Sequence, residues 1–300
     1  MPNTILQDQE SDTIIRYLKA QRKAYSEGKF VNAVEWIVKV VSLLVPILLI
    51  LQFNDIRKRW AWIASACLLL VFLALLFYRR NRKRVAARIQ EYIDTRLFKI
   101  PWNEVQCGRT VEVEVVNNFA RGESEEGLRK WYSASITSNL SHYVAALLCQ
   151  YTNVSWGREL RKKYINFLIF ITCVYVVTLV TLSWIEQLLV WQAASYFAPS
   201  LTAFAFTLQQ IVAQSDLNRS KSRVKNFIED ELKNAKGREV KDEDTCELSQ
   251  NLRNIQNTIF EQRASSASVP DWFYRFHKDR MEMSTDENIA NIIQRYHLDQ

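Results

Sequence analysis

Two short stretches of the chain combine aromatic rings with basic side chains. Trp131 and Tyr132 form one, and Trp272, Tyr274, Arg275 and Arg280 form the other. Rings of this kind stack on a nucleobase, and guanidinium groups pair with phosphate oxygens. These six residues are the candidate ligand set, although aromatics at helical spacing more often belong to a core. A second constellation lies inside an otherwise apolar block. Gln192, Ser195, Pro199, Thr202 and Gln209 recur on one helical face. Polar groups are costly in lipid, so such a face turns toward other helices or toward water. Two readings stand: hydrogen bonding within a rigid bundle, or a pore-facing stripe in an oligomer.

Signals for catalysis are poor. The six glycines are scattered and form neither a phosphate-cradling loop nor a dinucleotide fingerprint. His142, His277 and His297 lie far apart, and satisfied structural histidines are commoner than metal ligands. Asp242, Glu243, Asp244 and Glu247 read as a solvated helix start. Five cysteines, an odd number with no C-x-x-C pair, fit a reducing compartment. Cys149 reads as a buried structural thiol. No catalytic residue, metal or cofactor is expected, and DNA or RNA binding is not expected either.

These residues hang on four apolar blocks. Trp36–Phe53, Trp60–Tyr78, Phe167–Trp184 and Leu188–Val212 are each long enough to cross a bilayer. Pro199 is a plausible kink in the last. Asn54–Arg59 and Ile185–Gln187 are short turns, so the spans pair into two helical hairpins. The net charge of +7 is carried largely by clusters flanking the blocks. Arg79, Arg80, Arg82 and Lys83 follow span two; Arg158, Arg161, Lys162 and Lys163 precede span three. Such clusters mark the cytosolic side, which Arg57, Lys58 and Arg59 oppose but do not outvote. Both termini and the central segment are expected in the cytosol, with Trp60, Trp62, Trp184 and Trp191 at the outer boundary. The first thirty residues show no signal peptide.

The predicted organisation is an N-terminal cytosolic helix (1–35), hairpin one (36–78), a central cytosolic segment (79–163), hairpin two (164–212) and a C-terminal helical segment (213–300). The fold class is an all-α membrane protein with a mainly helical cytosolic domain. Val85, Ile89, Ile93 and Leu97 predict a helix over 81–99. The alternation over Thr110–Val116 predicts one short β element, and Leu128–Leu148 a helix. Gly157–Tyr164 leads into span three, and Ser220–Lys236 extends span four as far as Gly237. Leu248, Leu252, Ile255 and Ile259 form one apolar seam. Ser265–Pro270 is a loop. Ser284, with Glu287 three residues on, predicts a capping box starting a last helix.

Several local stretches, taken in order, resemble one family. They are LKAQRKAYSEGK at 18–29, FKIPWN at 98–103, CQYTNVSW at 149–156 with RELRKKY after it, IQNTIFEQR at 255–263 and PDWFYRF at 270–276. This set resembles the bacterial SMODS/SLOG-associating four-transmembrane effectors, described as pore-forming. The resemblance covers almost the whole chain. It implies a role in anti-phage defence: a partner synthase makes a cyclic oligonucleotide or cyclic mononucleotide, the cytosolic domain senses it, and a homo-oligomer disrupts the bacterial inner membrane. It implies no ligand residues. Two rival readings are a constitutive ion channel or solute transporter, and a non-catalytic membrane scaffold.

Overall fold

The computed structural model describes residues 3–51, 67, 70, 74, 83–133, 135–137, 139–197, 200–235, 244–265 and 269–298. In chain order its helices are α1 (Ile5–Asp8), α2 (Asp12–Leu51), α3 (residues 83–97), α4 (Glu104–Cys107), α5 (Val113–Ala120), α6 (His142–Ser155), α7 (Arg158–Ile185), α8 (Val190–Phe197), α9 (Ser200–Asn234), α10 (Asp244–Ser265) and α11 (Asp271–Tyr296). No strand occurs among the described residues. The fold is helical.

The main core draws on all three polar segments. Ile14, Leu18 and Ala24 of α2 meet Ile89, Ile93 and Leu97 of α3, Leu147 and Leu148 of α6, and Ile228 and Leu232 of α9. Leu252, Ile255 and Ile259 of α10, with Ile289 and Ile292 of α11, complete it. The seams read at four-residue spacing in α3 and α10 are its helical faces, because residues three and four apart lie on one side. Two satellite clusters sit along the apolar helices. One joins Trp36, Leu160, Tyr164, Phe167, Leu168 and Phe273. The other joins Leu43 and Ile47 to Tyr175, Leu179 and Phe204.

α7 exposes an apolar belt: Phe170, Val174, Val177, Val180 and Trp184 point outward, while Leu168, Tyr175 and Leu179 are buried. Leu189, Val190, Trp191, Leu201 and Leu208 extend the exposed surface. A continuous apolar surface of this kind marks lipid or a partner as its solvent. By length and composition, one helical stretch among the described residues, His142–Ile185, suffices to cross a membrane. The same criterion does not reproduce the other three spans. Span one stops being described at Leu51, most of span two with Trp60, Trp62 and the 54–59 turn lies outside the described residues, and span four is divided between α8 and α9. Pro199, at that division, lies outside the described residues, as does Gly237.

Three local readings are corrected. Thr110–Val116 is not a strand: α5 begins at Val113 and lies along α2. A lone strand leaves its backbone groups unpaired, whereas a helix pairs them locally. Val116 is buried and Phe119 and Ala120 pack on the same core, a three-and-four spacing that the valine alternation masked. Leu128–Leu148 is helical only from His142, where Ser141 caps α6 by accepting from the Val144 N–H. The preceding stretch is held by partners from the N-terminus: Gln9 and Glu10 accept from the backbone of Tyr132 and Lys130, and Asn3 donates to the Thr137 carbonyl. No helix starts at Ser284: α11 runs unbroken through that position from Asp271. The docking of Phe273 and Tyr274 against the α7 cluster sets the helix start nearly four turns earlier.

Candidate functional site

The core encloses a polar network that ties α10 to α3. Arg253 of α10 donates to Glu91 of α3 at 2.5 Å, to the Pro101 carbonyl at 2.9 Å and to Asn257 at 2.9 Å. Gln256 reaches both carboxylates, Glu91 at 2.8 Å and Asp94 at 3.0 Å. Arg263 donates to Asp94 at 2.6 Å, and the Tyr132 hydroxyl to the other Asp94 oxygen at 3.0 Å. Asn153 and Gln150 of α6 close the set on Tyr132 and Gln256. Burial pushes the Glu91 carboxyl up, opposed by the Arg253 guanidinium. Burial likewise raises the Tyr132 hydroxyl and the Cys149 thiol, and Asp94 adds to both. Each carboxylate oxygen has a donor from the fold, so the network works as a clamp between helices. Breaking such a pair costs far more than its net contribution.

A second polar seam runs along α9 where the apolar helices enter the core. Gln210, Gln214, Asn218 and Lys221 are buried at spacings of four, four and three. Arg161 of α7 donates to Gln214, and Arg158 donates to Ser222 at 2.8 Å. The Lys221 ammonium donates to the carbonyls of Asn153, Val154 and Trp156, closing the C-terminal end of α6. That end is negative by its dipole, so a cation is favoured there. Burial holds the Lys221 ammonium well below its usual range, and the neighbouring Arg161, Arg263 and Arg158 push it further down. Burial lowers Arg161 to about 10. Gly157 makes the junction possible: it takes φ +75° between α6 and α7, a region that side chains disfavour.

The candidate residues read from the sequence fall in three places. Tyr132 is core, its hydroxyl committed to Asp94, while Trp131 beside it is exposed. Trp272 and Tyr274 belong to the Trp36–Phe167 cluster. Arg275 is exposed, and the Arg280 side chain lies outside the described residues. The two aromatic sets therefore occupy separate clusters. On the span-four stripe, Gln192 accepts from the Leu189 N–H and so steadies the start of α8. Gln209 is exposed; the side chains of Ser195 and Thr202 lie outside the described residues, as does Pro199. The polar face that α9 buries is the adjoining one through Gln210. Its continuation as Gln214, Asn218 and Lys221 at helical spacing was the available signal.

One open groove of about 430 Å³ lies between α2 and α5. Arg16, Lys19 and Arg121 line it together with Asp12 and Glu125. Lys19 holds Glu125 at 3.0 Å, and Arg129 holds its other oxygen at 3.1 Å. Those two hydrogen bonds, Lys19 first, lower the Glu125 carboxyl. Nearby, Arg22 donates to the carbonyls of Ser124 and Glu126, fastening the 123–126 loop onto α2. Among the described residues, no group of three or more His, Cys, Asp or Glu side chains could hold a metal.

A helical core, buried polar ties and a lipid-seeking apolar belt define a membrane-associated helical protein. The sequence profile of the SMODS-associating 4TM effector domain matches residues 3–292, and the chain belongs to that family. A relative from Bacillus cereus (strain VD146), named "Probable CBASS effector molecule", is 28% identical over 182 residues, 57% of this chain. The match spans 60% of that relative's length. No solved structure matches the chain.

Proposed function

We propose that this chain is the membrane effector of a CBASS-type anti-phage system. A cyclic oligonucleotide or mononucleotide made by a partner synthase is sensed by the cytosolic core. Copies then assemble and breach the inner membrane, halting the infected cell. Family membership and the name borne by the Bacillus cereus relative support the defence role.

The observation that carries the mechanism is that two uninterrupted helices belong both to the core and to the apolar clusters. α2 contributes Ile14 and Leu18 to the core and Leu43 and Ile47 to the far cluster. α9 contributes Phe204 to the far cluster and Ile228 and Leu232 to the core. A ligand shifts a conformation only through differential affinity for two states, and these helices carry such a shift directly. The packing of segments 1–35, 79–163 and 213–300 into one core supports a multi-pass topology with both termini cytosolic. The groove lined by Arg16, Lys19 and Arg121 is our location for the phosphates of the signal. There a phosphodiester would compete with Glu125 for Lys19, as charge-assisted donors favour such anions.

The test is dye release from liposomes holding the purified full-length protein, with the nucleotide product of the cognate synthase added or withheld. Release only with the product is expected, as is growth arrest on co-expression with the synthase. Sealed liposomes together with unimpaired growth refute the reading.

A further inference from the structure

The start of α11 presents an unusual pair of rings. Trp272 and Phe276, four residues apart and so on one face, are 51% and 85% exposed. Beside them, Phe273 is buried against Tyr164 and Phe167. Trp272 meets Phe167 edge-on at 5.6 Å and Trp36 at 6.3 Å. Those two contacts fix the height of α11 relative to the apolar helices. Phe167 opens the apolar stretch of α7 and Trp36 that of α2, and Trp184, 83% exposed, closes the former. At ~1.5 Å per residue, Phe167 and Trp184 stand about 26 Å apart. That is close to the ~30 Å thickness of a hydrocarbon core. A bilayer around α7 would then have Trp184 at one boundary and Trp272 at the other. Amphipathic rings concentrate at such boundaries.

We infer that the first turns of α11 are a membrane-interface anchor, with Trp272 and Phe276 inserted among the lipid headgroups of the leaflet facing the core. The occupant of this apolar face is the bilayer, because the face is continuous through Trp36 and Phe167 with the apolar belt. Exposed Arg275 flanks the ring pair, on the Trp272 side of the face, and is placed to meet anionic headgroups. The opposite end of α11 places Ile289 and Ile292 in the main core. The helix thus ties the core to the membrane surface independently of the spans. This inference rests on the membrane-spanning reading of α7.

The chain supplies its own controls. Cys173 is exposed on the apolar belt, Cys246 is exposed on α10, and Cys107 and Cys149 are buried. Three full-length proteins are made, each retaining one reactive thiol: native Cys173, native Cys246, or Phe276→Cys. The other exposed cysteines are replaced by Ala. Each is labelled with an environment-sensitive nitrobenzoxadiazole dye and reconstituted into liposomes of phosphatidylcholine and phosphatidylglycerol. At 276 the larger loss of emission is expected from lipids brominated near the carbonyl; at 173, from lipids brominated deep in the chain. At 246, only aqueous iodide should quench. If 276 answers to iodide alone, as 246 does, the anchor is refuted while the span stands. If neither quencher reaches 276, the face is covered by protein, a second copy included, and the anchor is refuted again. If 173 answers to iodide rather than to deep bromine, the membrane-spanning reading itself falls.

Discussion

Replacing Asp94 by Asn tests the clamp between α3 and α10 most directly. The carboxylate accepts from Arg263 at 2.6 Å, Gln256 at 3.0 Å and Tyr132 at 3.0 Å, and its side chain is 1% exposed. The amide keeps the shape but removes the charge that offsets the Arg263 guanidinium, which is itself 13% exposed. Removing one partner of a buried ion pair costs about 3–5 kcal/mol. Arg263 keeps neighbours other than Asp94, so about 3 kcal/mol is the expected loss. Cys149 reports it, because it lies within the same core and is fully buried. Its thiol reacts only when the core opens locally. A loss of about 3 kcal/mol raises the opened population, and hence the labelling rate of Cys149, about a hundredfold. Mass spectrometry of the Cys149 peptide, from protein in detergent at fixed pH, gives that rate. Arg263→Met in the Asp94→Asn background should recover at least ~1 kcal/mol, since contacting residues couple. A labelling rate within threefold of the parent, or strictly additive single changes, would show that the clamp contributes nothing.

Four further outcomes are expected. Asp216→Pro places proline inside α9, a disruption of about 3 kcal/mol or more; growth arrest should vanish at unchanged membrane abundance, whereas Asp216→Ala retains it, as arrest assays and blots would record. Arg16→Ala combined with Lys19→Ala should weaken binding of the synthase product at least ~10-fold, since charge-assisted bonds contribute ~1.5–3 kcal/mol each; titration calorimetry measures it, and unchanged affinity removes the groove from consideration. His142 sits 3.0 Å from the Phe98 carbonyl, and burial lowers its pKa. A depressed folded value means that its contribution is present above the ordinary histidine pKa and is lost as pH falls toward the folded one. The melting temperature should therefore decline on acidification below about pH 6.5, with a shallower decline in His142→Gln. Gly157→Ala meets no neighbour within 4 Å but must hold φ +75°. Its cost should be the strain alone, about 1–2 kcal/mol, seen as a small drop in melting temperature.

What could be read in the residues follows the range of the interactions involved. The α10 seam Leu248, Leu252, Ile255 and Ile259 was legible because helical spacing alone puts those side chains on one face, and all four are buried. The extensions beyond spans three and four were legible for the same reason, as α7 and α9 run through the basic clusters. Non-local partners were not legible. Arg253 and Glu91 are distant in sequence, and nothing near either names the other. Turns at 128–140 were missed because their backbone partners come from residues 3–10. The capping pattern at Ser284 was locally valid and overridden by the docking of Phe273. The stripe of Gln192, Ser195, Pro199, Thr202 and Gln209 is a different face from the polar one that α9 buries, which runs through Gln210, Gln214 and Asn218. One residue turns a helix by about 100°, enough to exchange an exposed face for a buried one.

α2 is 40 residues long and α9 is 35, so at ~1.5 Å per residue they measure about 60 and 52 Å. Both helices are continuous over that length, with no break to absorb displacement. Each is a lever pivoting where the aromatic cluster grips Trp36 and Ile211. A rotation of about 5° at that fulcrum moves the Leu51 end of α2, about 22 Å beyond Trp36, by roughly 2 Å. A small tilt at the core end of α2 would thus reappear, with opposite sign, at the far end of the bundle, where Leu43 and Ile47 pack on Tyr175 and Leu179.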